Sequence, residues 1–340
     1  MRQEAVRSRF QGALLGTFAG DALGMPLEGM TPQAIAHRYG VVRDLLPARL
    51  GRGTYTDDTE MTIAVAESLV ACRGFDGPHM AGRFLHTAER RRGYGRGTLE
   101  ALQRLAAGVP WDQAGAGTFG SGSFGNAGAT RVAPIALLYH SNLAAVADLA
   151  RASSEITHAH PLGRGGAAVQ AVAIALALCA GLEPPAGARP ELFIETIEHR
   201  LLPQEALYRE GLEKVVMMLE RCPPLPLEAS DHDRAGQAAR VAAVLGNDSR
   251  AFTSVPAALY SFLAYAHSFE LAVTTAVALG GDTDTIAAMT GALAGAYHGV
   301  GAIPERWRRS LESGPRGRDY VAGLADDLFL LWLERYADVC

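Results

Sequence analysis

Apolar residues along this chain recur at helical spacing, and polar or glycine-rich breaks separate the runs. After Asp58, Met61, Val65 and Leu69 return every fourth residue, which puts them on one helix face. After Asp284, Ile286, Met289, Leu293 and Tyr297 return at steps of three and four. The same pattern, supported by abundant Ala and Leu, predicts helices over 7–23, 80–91, 98–107, 129–140, 143–154, 166–180, 192–201, 205–221, 237–245, 255–267 and 320–336. No run alternates apolar and polar residues with β-branched enrichment, so no strand is predicted. The expected fold class is all-α, with roughly a dozen helices. Breaks rich in Pro or Gly fall at 181–190 and 222–226. Both are too short for domain linkers, and no solenoid-period repeat occurs, so one domain over 1–340 is expected.

Composition narrows the class. The chain has 340 residues, 49% hydrophobic and 20% charged, which suits a well-cored globular enzyme. A net charge of -5 offers no basic field to gather nucleic acid. Lys214 is the only lysine among 31 basic residues; the rest are arginine. Cys72, Cys179, Cys222 and Cys340 are far apart in sequence, with no zinc or redox spacing. The N-terminus carries charge but no apolar core with a cleavage site, and the most apolar stretch, 167–182, is short for a membrane span. The expectation is a cytoplasmic monomer with no membrane partner.

Two acidic clusters carry candidate chemistry. Thr56-Asp57-Asp58-Thr59 and Asp282-Thr283-Asp284-Thr285 each stand directly before an amphipathic helix. Helix capping accounts for one oxygen in each cluster, because Asp and Thr side chains accept first-turn amide protons. Capping leaves adjacent carboxylates unexplained, since they repel unless neutralised. If the two helix starts meet, four carboxylates converge, and each helix dipole offsets only about half a charge. Hard oxygen ligands without His or Cys favour Mg²⁺, or Mn²⁺, over zinc, and two ions suit the ligand count.

A second constellation is glycine-rich. Gly120-Ser121-Gly122-Ser123-Phe124-Gly125-Asn126-Ala127-Gly128 leads into a helix, where small residues let backbone amides approach a phosphate. A flexible loop is the plainer reading. Phe119 and Phe124 flank it as stacking candidates or as core anchors. Asp21 and Glu28 follow an apolar N-terminal helix that Gly24 and Pro26 should end, leaving Glu28 on a mobile loop. His158 and His160 are spaced two apart, a poor spacing for one helix face, so a substrate hydrogen bond or a structural role is favoured over metal ligation.

Five motifs together resemble the ADP-ribosylglycohydrolase family, that of the dinitrogenase-reductase-activating glycohydrolase. They are GDALGMPLEG (20–29), YTDDTEM (55–61), GSFGNAGATR (122–131), THAHPLG (157–163) and GGDTDTIAAMTGALAGAYHG (280–299). RGYG (92–95), SVPAALYSFL (254–263) and IPERW (303–307) are most similar to the branch acting on serine-linked ADP-ribose, poly(ADP-ribose) and O-acetyl-ADP-ribose. The resemblance implies an orthogonal multi-helix fold with a two-Mg²⁺ centre held by Thr56, Asp57, Asp58, Asp282, Asp284 and Thr285. It implies a gating role for Glu28. Ser123, Phe124, Gly125 and Asn126, with Gly122, would hold the diphosphate and adenine side, Phe119 would be a second adenine wall, and His158 would contact the distal ribose or phosphate. ADP-ribose and ADP-ribosylated proteins are the implied partners.

Where the family often has GNGGAMR, this chain has Ala127 and Thr130, and Phe124 replaces a frequent Tyr. Phe119 also sits one residue nearer the glycine-rich loop. The implied reaction breaks the anomeric bond of ribose through an oxocarbenium-like state, with Asp58 or Asp284 as the candidate base toward water. Two other readings compete. An isoprenoid synthase would need acidic residues spaced within a helix and a basic cover for diphosphate. A non-catalytic ADP-ribose reader, like a structural protein recruited from an enzyme, would normally have lost metal ligands, and all six are present. Linkage stays open, with serine first and arginine second.

Overall fold

The computed structural model describes residues 2–182, 189–201, 206–226 and 229–336. Their regular secondary structure is helix. The only β feature among them is an isolated antiparallel bridge between Gly125 and Arg250.

Two helices form the axis. The N-terminal helix Arg2–Gly24 runs against Thr283–His298. Gly12, Gly16, Gly20 and Gly24 recur at one turn's spacing and face Gly295, Gly291, Ala287 and Thr283 in antiparallel order. A methyl group on any of the four would collide with the opposing backbone. Small residues therefore bring the two backbones into direct contact. The last turn of the first helix, with Asp21, lies against the first turn of the second, with Asp284. The helix Asp57–Ala71 packs beside this pair, so both acidic helix starts reach one end of it.

Around this axis the core is continuous. Phe10, Leu14 and Phe18 of the first helix and Ile286, Met289 and Leu293 of its partner are buried. The helix Pro161–Leu182 has 22 residues, more than its apolar run suggested, and is long and apolar enough to cross a membrane by length and composition. In its most apolar window 78% is buried inside the protein, so its apolar surface is covered by other helices, including Leu143–Glu155 and Thr283–His298.

Several expected elements shift. The helix expected over 129–140 is two pieces, Ala127–Thr130 and Ala133–Tyr139, with Pro134 in the first turn of the second, where its missing N–H costs nothing. The helix expected over 80–91 is Gly77–Thr87, started by Asp76 accepting the His79 N–H at 2.7 Å. Pro32–Tyr39 and Phe269–Ala278 were not foreseen. The latter is rich in Val and Thr, which weaken the helical signal, and Ser268 caps it by accepting the Leu271 N–H. The break at 222–226 is present between helices Ala206–Arg221 and Asp231–Leu245. Most of the break at 181–190 lies outside the described residues.

Candidate functional site

The two acidic helix starts meet. Thr285 Oγ1 donates to Asp58 Oδ2 at 2.9 Å. Asp57, Asp58, Asp282, Asp284 and Thr285 all line one cleft, with about 280 Å³ of space for water-sized groups. Glu28 stands on its rim, and one carboxylate oxygen from each of Glu28, Asp282 and Asp284 lies within 4.8 Å of the others.

Local geometry explains the convergence. Asp21 lies within the N-terminal helix, inside the 7–23 span its periodicity predicts rather than after the helix as the Gly24–Pro26 break implies, and it is fully buried. Its carboxylate accepts the Thr56 N–H at 3.0 Å, the Thr59 N–H at 3.1 Å and the Thr59 hydroxyl at 2.6 Å. Asp21 thus caps the neighbouring helix from outside and frees Asp57 and Asp58 from that duty. Thr56 is the N-cap proper; it is buried, off the cleft wall, and its hydroxyl accepts the Asp58 N–H at 3.2 Å. Asp282 stands at the N-cap of its helix without making a side-chain cap bond. Its carboxylate instead accepts from Asn126 Nδ2 at 2.6 Å, and Asn126 also reaches Ser254 Oγ at 3.1 Å.

The rim is tied to the floor. Gly280 and Gly281 have φ of +68° and +71°, the left-handed turn that directs Asp282 into the cleft. Gly29 N–H donates to the Gly281 carbonyl and Gly281 N–H to the Met30 carbonyl, each at 2.8 Å. The exposed Glu28 therefore hangs beside the turn that carries Asp282.

Charge in the cleft is unbalanced. Burial, reinforced by Asp21, pushes the Asp57 carboxyl up to about 8. Burial and the neighbouring carboxylates raise Asp58 and Asp284 well above the usual range, and burial raises Asp282. Burial lifts Asp21 to about 6 and also raises Glu28. No ion pair reaches Asp57, Asp58, Asp282 or Asp284 among the described residues. An all-oxygen donor set whose carboxylates have no ion-pair partner of their own fits a hard divalent cation.

The glycine-rich loop forms the opposite wall. Ser123, Gly125, Asn126 and Ala127 line the cleft. Asn126 N–H donates to the Ser249 carbonyl and Ala251 N–H to the Phe124 carbonyl, both at 3.0 Å, which fixes this stretch against 249–251. The Phe124 ring packs against His160 and Phe252 at centroid distances of 5.5 and 6.1 Å and does not line the cleft. Gly122, with φ of +84°, is also off the wall and lies against the His160 backbone. Phe119 does line the cleft; it is 53% exposed, with Arg96 5.6 Å above its ring. His158 lines the cleft and is buried. The sequence reading missed Arg49, Arg96, Thr98 and Ser249 on the wall, and the capping role of Asp21. An acidic residue inside an apolar helix was the available signal for Asp21; the arginines had none among so many.

The comparisons with known proteins agree with this geometry. A family model described as ADP-ribosylglycohydrolase matches residues 2–338. The mouse (Mus musculus) ADP-ribosylhydrolase ARH3 is 36% identical over 332 residues, covering 90% of this chain and 88% of its own. Its human (Homo sapiens) counterpart is 34% identical over 331 residues, covering 90% and 89%. An uncharacterized protein of Archaeoglobus fulgidus is 36% identical over 333 residues, covering 96% and 97%. A solved structure described as an ADP-ribosylglycohydrolase-related protein complex superposes with a TM-score of 0.72 at 31% identity, over 97% of this chain and 99% of that one. With paired acidic helix starts facing a glycine-rich wall, in an all-helical fold matched over nearly its whole length, the chain belongs to the ADP-ribosylglycohydrolase family.

Proposed function

We propose that this protein removes ADP-ribose from serine side chains of modified proteins, using two Mg²⁺ ions. Poly(ADP-ribose) and O-acetyl-ADP-ribose are further substrates under this reading. The observation that carries it is the meeting of Asp57–Asp58 with Asp282–Asp284 on the floor of a cleft whose far wall is the glycine-rich loop. Thr56, Asp57, Asp58, Asp282, Asp284 and Thr285 are the proposed ligands. When bound, the ions would orient the ribose hydroxyls and activate a water or the leaving group.

The chain's own residues do the rest. Ser123, Gly125 and Asn126 present small polar surfaces to the diphosphate, and Phe119 offers a stacking face to adenine. The anomeric carbon is then placed over the carboxylates, where oxocarbenium-like charge meets a negative floor. Asp58 and Asp284 are the candidate groups for taking the proton from water. Glu28 on the rim positions the protein-linked end of the substrate. Phe124, turned from the cleft, has no role in this arrangement.

The test is ADP-ribose release from a serine-ADP-ribosylated peptide, with an arginine-ADP-ribosylated control, in Mg²⁺ and in EDTA. Mg²⁺-dependent release from serine alone supports the proposal. Release from arginine alone overturns the linkage and keeps the metal site. Binding of ADP-ribose without release from either peptide overturns the catalytic reading.

A further inference from the structure

Beneath the cleft lies a buried arginine with no carboxylate. Arg131 is fully buried, and no carboxylate lies within ion-pair distance of it among the described residues. Its guanidinium stacks on Phe84 at 4.6 Å. Nη1 donates to Thr157 Oγ1 at 2.8 Å, Nη2 donates to the Ser153 carbonyl, and Nε has no partner among the described residues. Thr157 Oγ1 in turn lies 2.8 Å from His158 Nδ1. The far edge of that imidazole faces the cleft: a methyl on Gly125 would sit 3.1 Å from His158 Nε2.

Hydrogen-bond polarity settles along this line. An arginine only donates, so Thr157 Oγ1 accepts from it. The Thr157 hydroxyl keeps one proton, and His158 Nδ1 is the acceptor within its reach. Were Nδ1 protonated instead, the buried Thr157 hydroxyl proton would have no acceptor among its recorded partners, and a buried donor left without one is destabilising. Protonating both nitrogens would set a second cation beside an uncompensated arginine. Consistently, burial and then Arg131 push the His158 pKa down to about 3, and burial lowers Arg131 itself to about 9.

We propose that Arg131, acting through Thr157, locks His158 as the neutral Nε2–H tautomer, so that the histidine presents the cleft with a hydrogen-bond donor and never with a base or a metal ligand. Arg131 and Thr157 are positioning residues. The group His158 selects is an acceptor oxygen, as on a diphosphate or a ribose. That last step rests on the function proposed above; the tautomer itself does not.

The experiment is a two-bond ¹H–¹⁵N correlation spectrum of the free protein labelled at histidine, with His158 assigned by the signal lost in His158→Gln. The expected wild-type pattern is protonated Nε2 and bare Nδ1. Thr157→Ser should retain it. Thr157→Val, which keeps the shape and removes the hydroxyl, should populate the Nδ1–H form and weaken ADP-ribose binding by about tenfold, the worth of one hydrogen bond. A wild-type spectrum with Nδ1 protonated, or one unchanged in Thr157→Val, overturns the relay. A wild-type protein with the expected spectrum that fails to bind ADP-ribose supports the relay and overturns the functional reading instead.

Discussion

Thr285 Oγ1 donates to Asp58 Oδ2 at 2.9 Å, joining residues 227 positions apart in the chain. This bond ties one acidic helix start directly to the other. Thr285→Val keeps the side-chain shape and removes it. Divalent-cation affinity should fall by at least about 10- to 100-fold, which is the effect of losing even a group that only orients metal ligands. Calorimetric titration with Mg²⁺ or Mn²⁺ reads this, and unchanged affinity removes Thr285 from the site.

Metal removal should make stability depend on pH in a particular direction. A carboxyl whose folded pKa lies above its unfolded value binds its proton more tightly when folded. Its stabilisation is complete below the unfolded value and is lost as pH climbs through the folded one. Asp57 spans from 3.8 to about 8, and Asp58 and Asp284 shift in the same direction. In EDTA the melting temperature should therefore drop between about pH 4 and pH 8, and Mg²⁺ should restore it at the alkaline end. A flat profile in EDTA would count against a repulsive, cation-seeking cluster.

Backbone contact between the axial helices sets a further prediction. Gly16 and Gly291 each face the other's backbone with no space for a methyl. Gly291→Val should destabilise by about 3 kcal/mol or more through overpacking, read by denaturant unfolding. Survivors should bind cation more weakly, because the same contact sets the height of Asp284. Loss of stability with full cation affinity would separate the two effects.

Asp21→Ala leaves the Thr56 and Thr59 amides without their acceptor. Stability should drop by about 1–3 kcal/mol for each donor stranded in the interior. Chemical denaturation in saturating Mg²⁺ checks this. Full recovery with Mg²⁺ would show that Asp21 matters only through charge.

At the rim and wall, activity is the readout. Glu28→Gln should cut turnover of the serine-linked peptide by about 100-fold with little change in melting temperature, as misplacement of the reacting bond does. Phe119→Ala should raise KM by about tenfold, within the ~1–3 kcal/mol typical of a base stacked on an aromatic ring. Normal kinetics in both would take Glu28 and Phe119 out of the proposed site.

Much of this site was legible because helix starts announce themselves. Two Asp–Thr clusters before periodic apolar runs located both halves of the floor, and the glycine-rich run located a wall. Their meeting was not legible, because it depends on how two helices 259 residues apart pack, as the Thr283 hydroxyl to Gly24 carbonyl bond shows. The glycines at 12, 16, 20 and 24 encoded that packing at one-turn spacing, but a small-residue stripe reads as weak helix until its partner is known. Gly24 and Pro26 read as helix terminators, which hides how firmly Asp21 sits inside the helix, whereas Gly20 and Gly24 are contact points with the opposing backbone. The family motif implies a cleft contact for Phe124, and its ring instead packs against His160 and Phe252. Pairing of 124–126 with 249–251 turns it away, and that pairing leaves no mark in the local sequence.

The paired hydrogen bonds between Gly29–Met30 and Gly281 have a thermodynamic consequence. Glu28 and Asp282 share a mechanical frame, so a ligand that displaces one strains the support of the other. Affinities that communicate through a shared support change one another by the same factor. Cation titrations of the free protein and of its substrate-bound form are then two legs of one cycle, and the gap between them measures how firmly the rim is coupled to the floor.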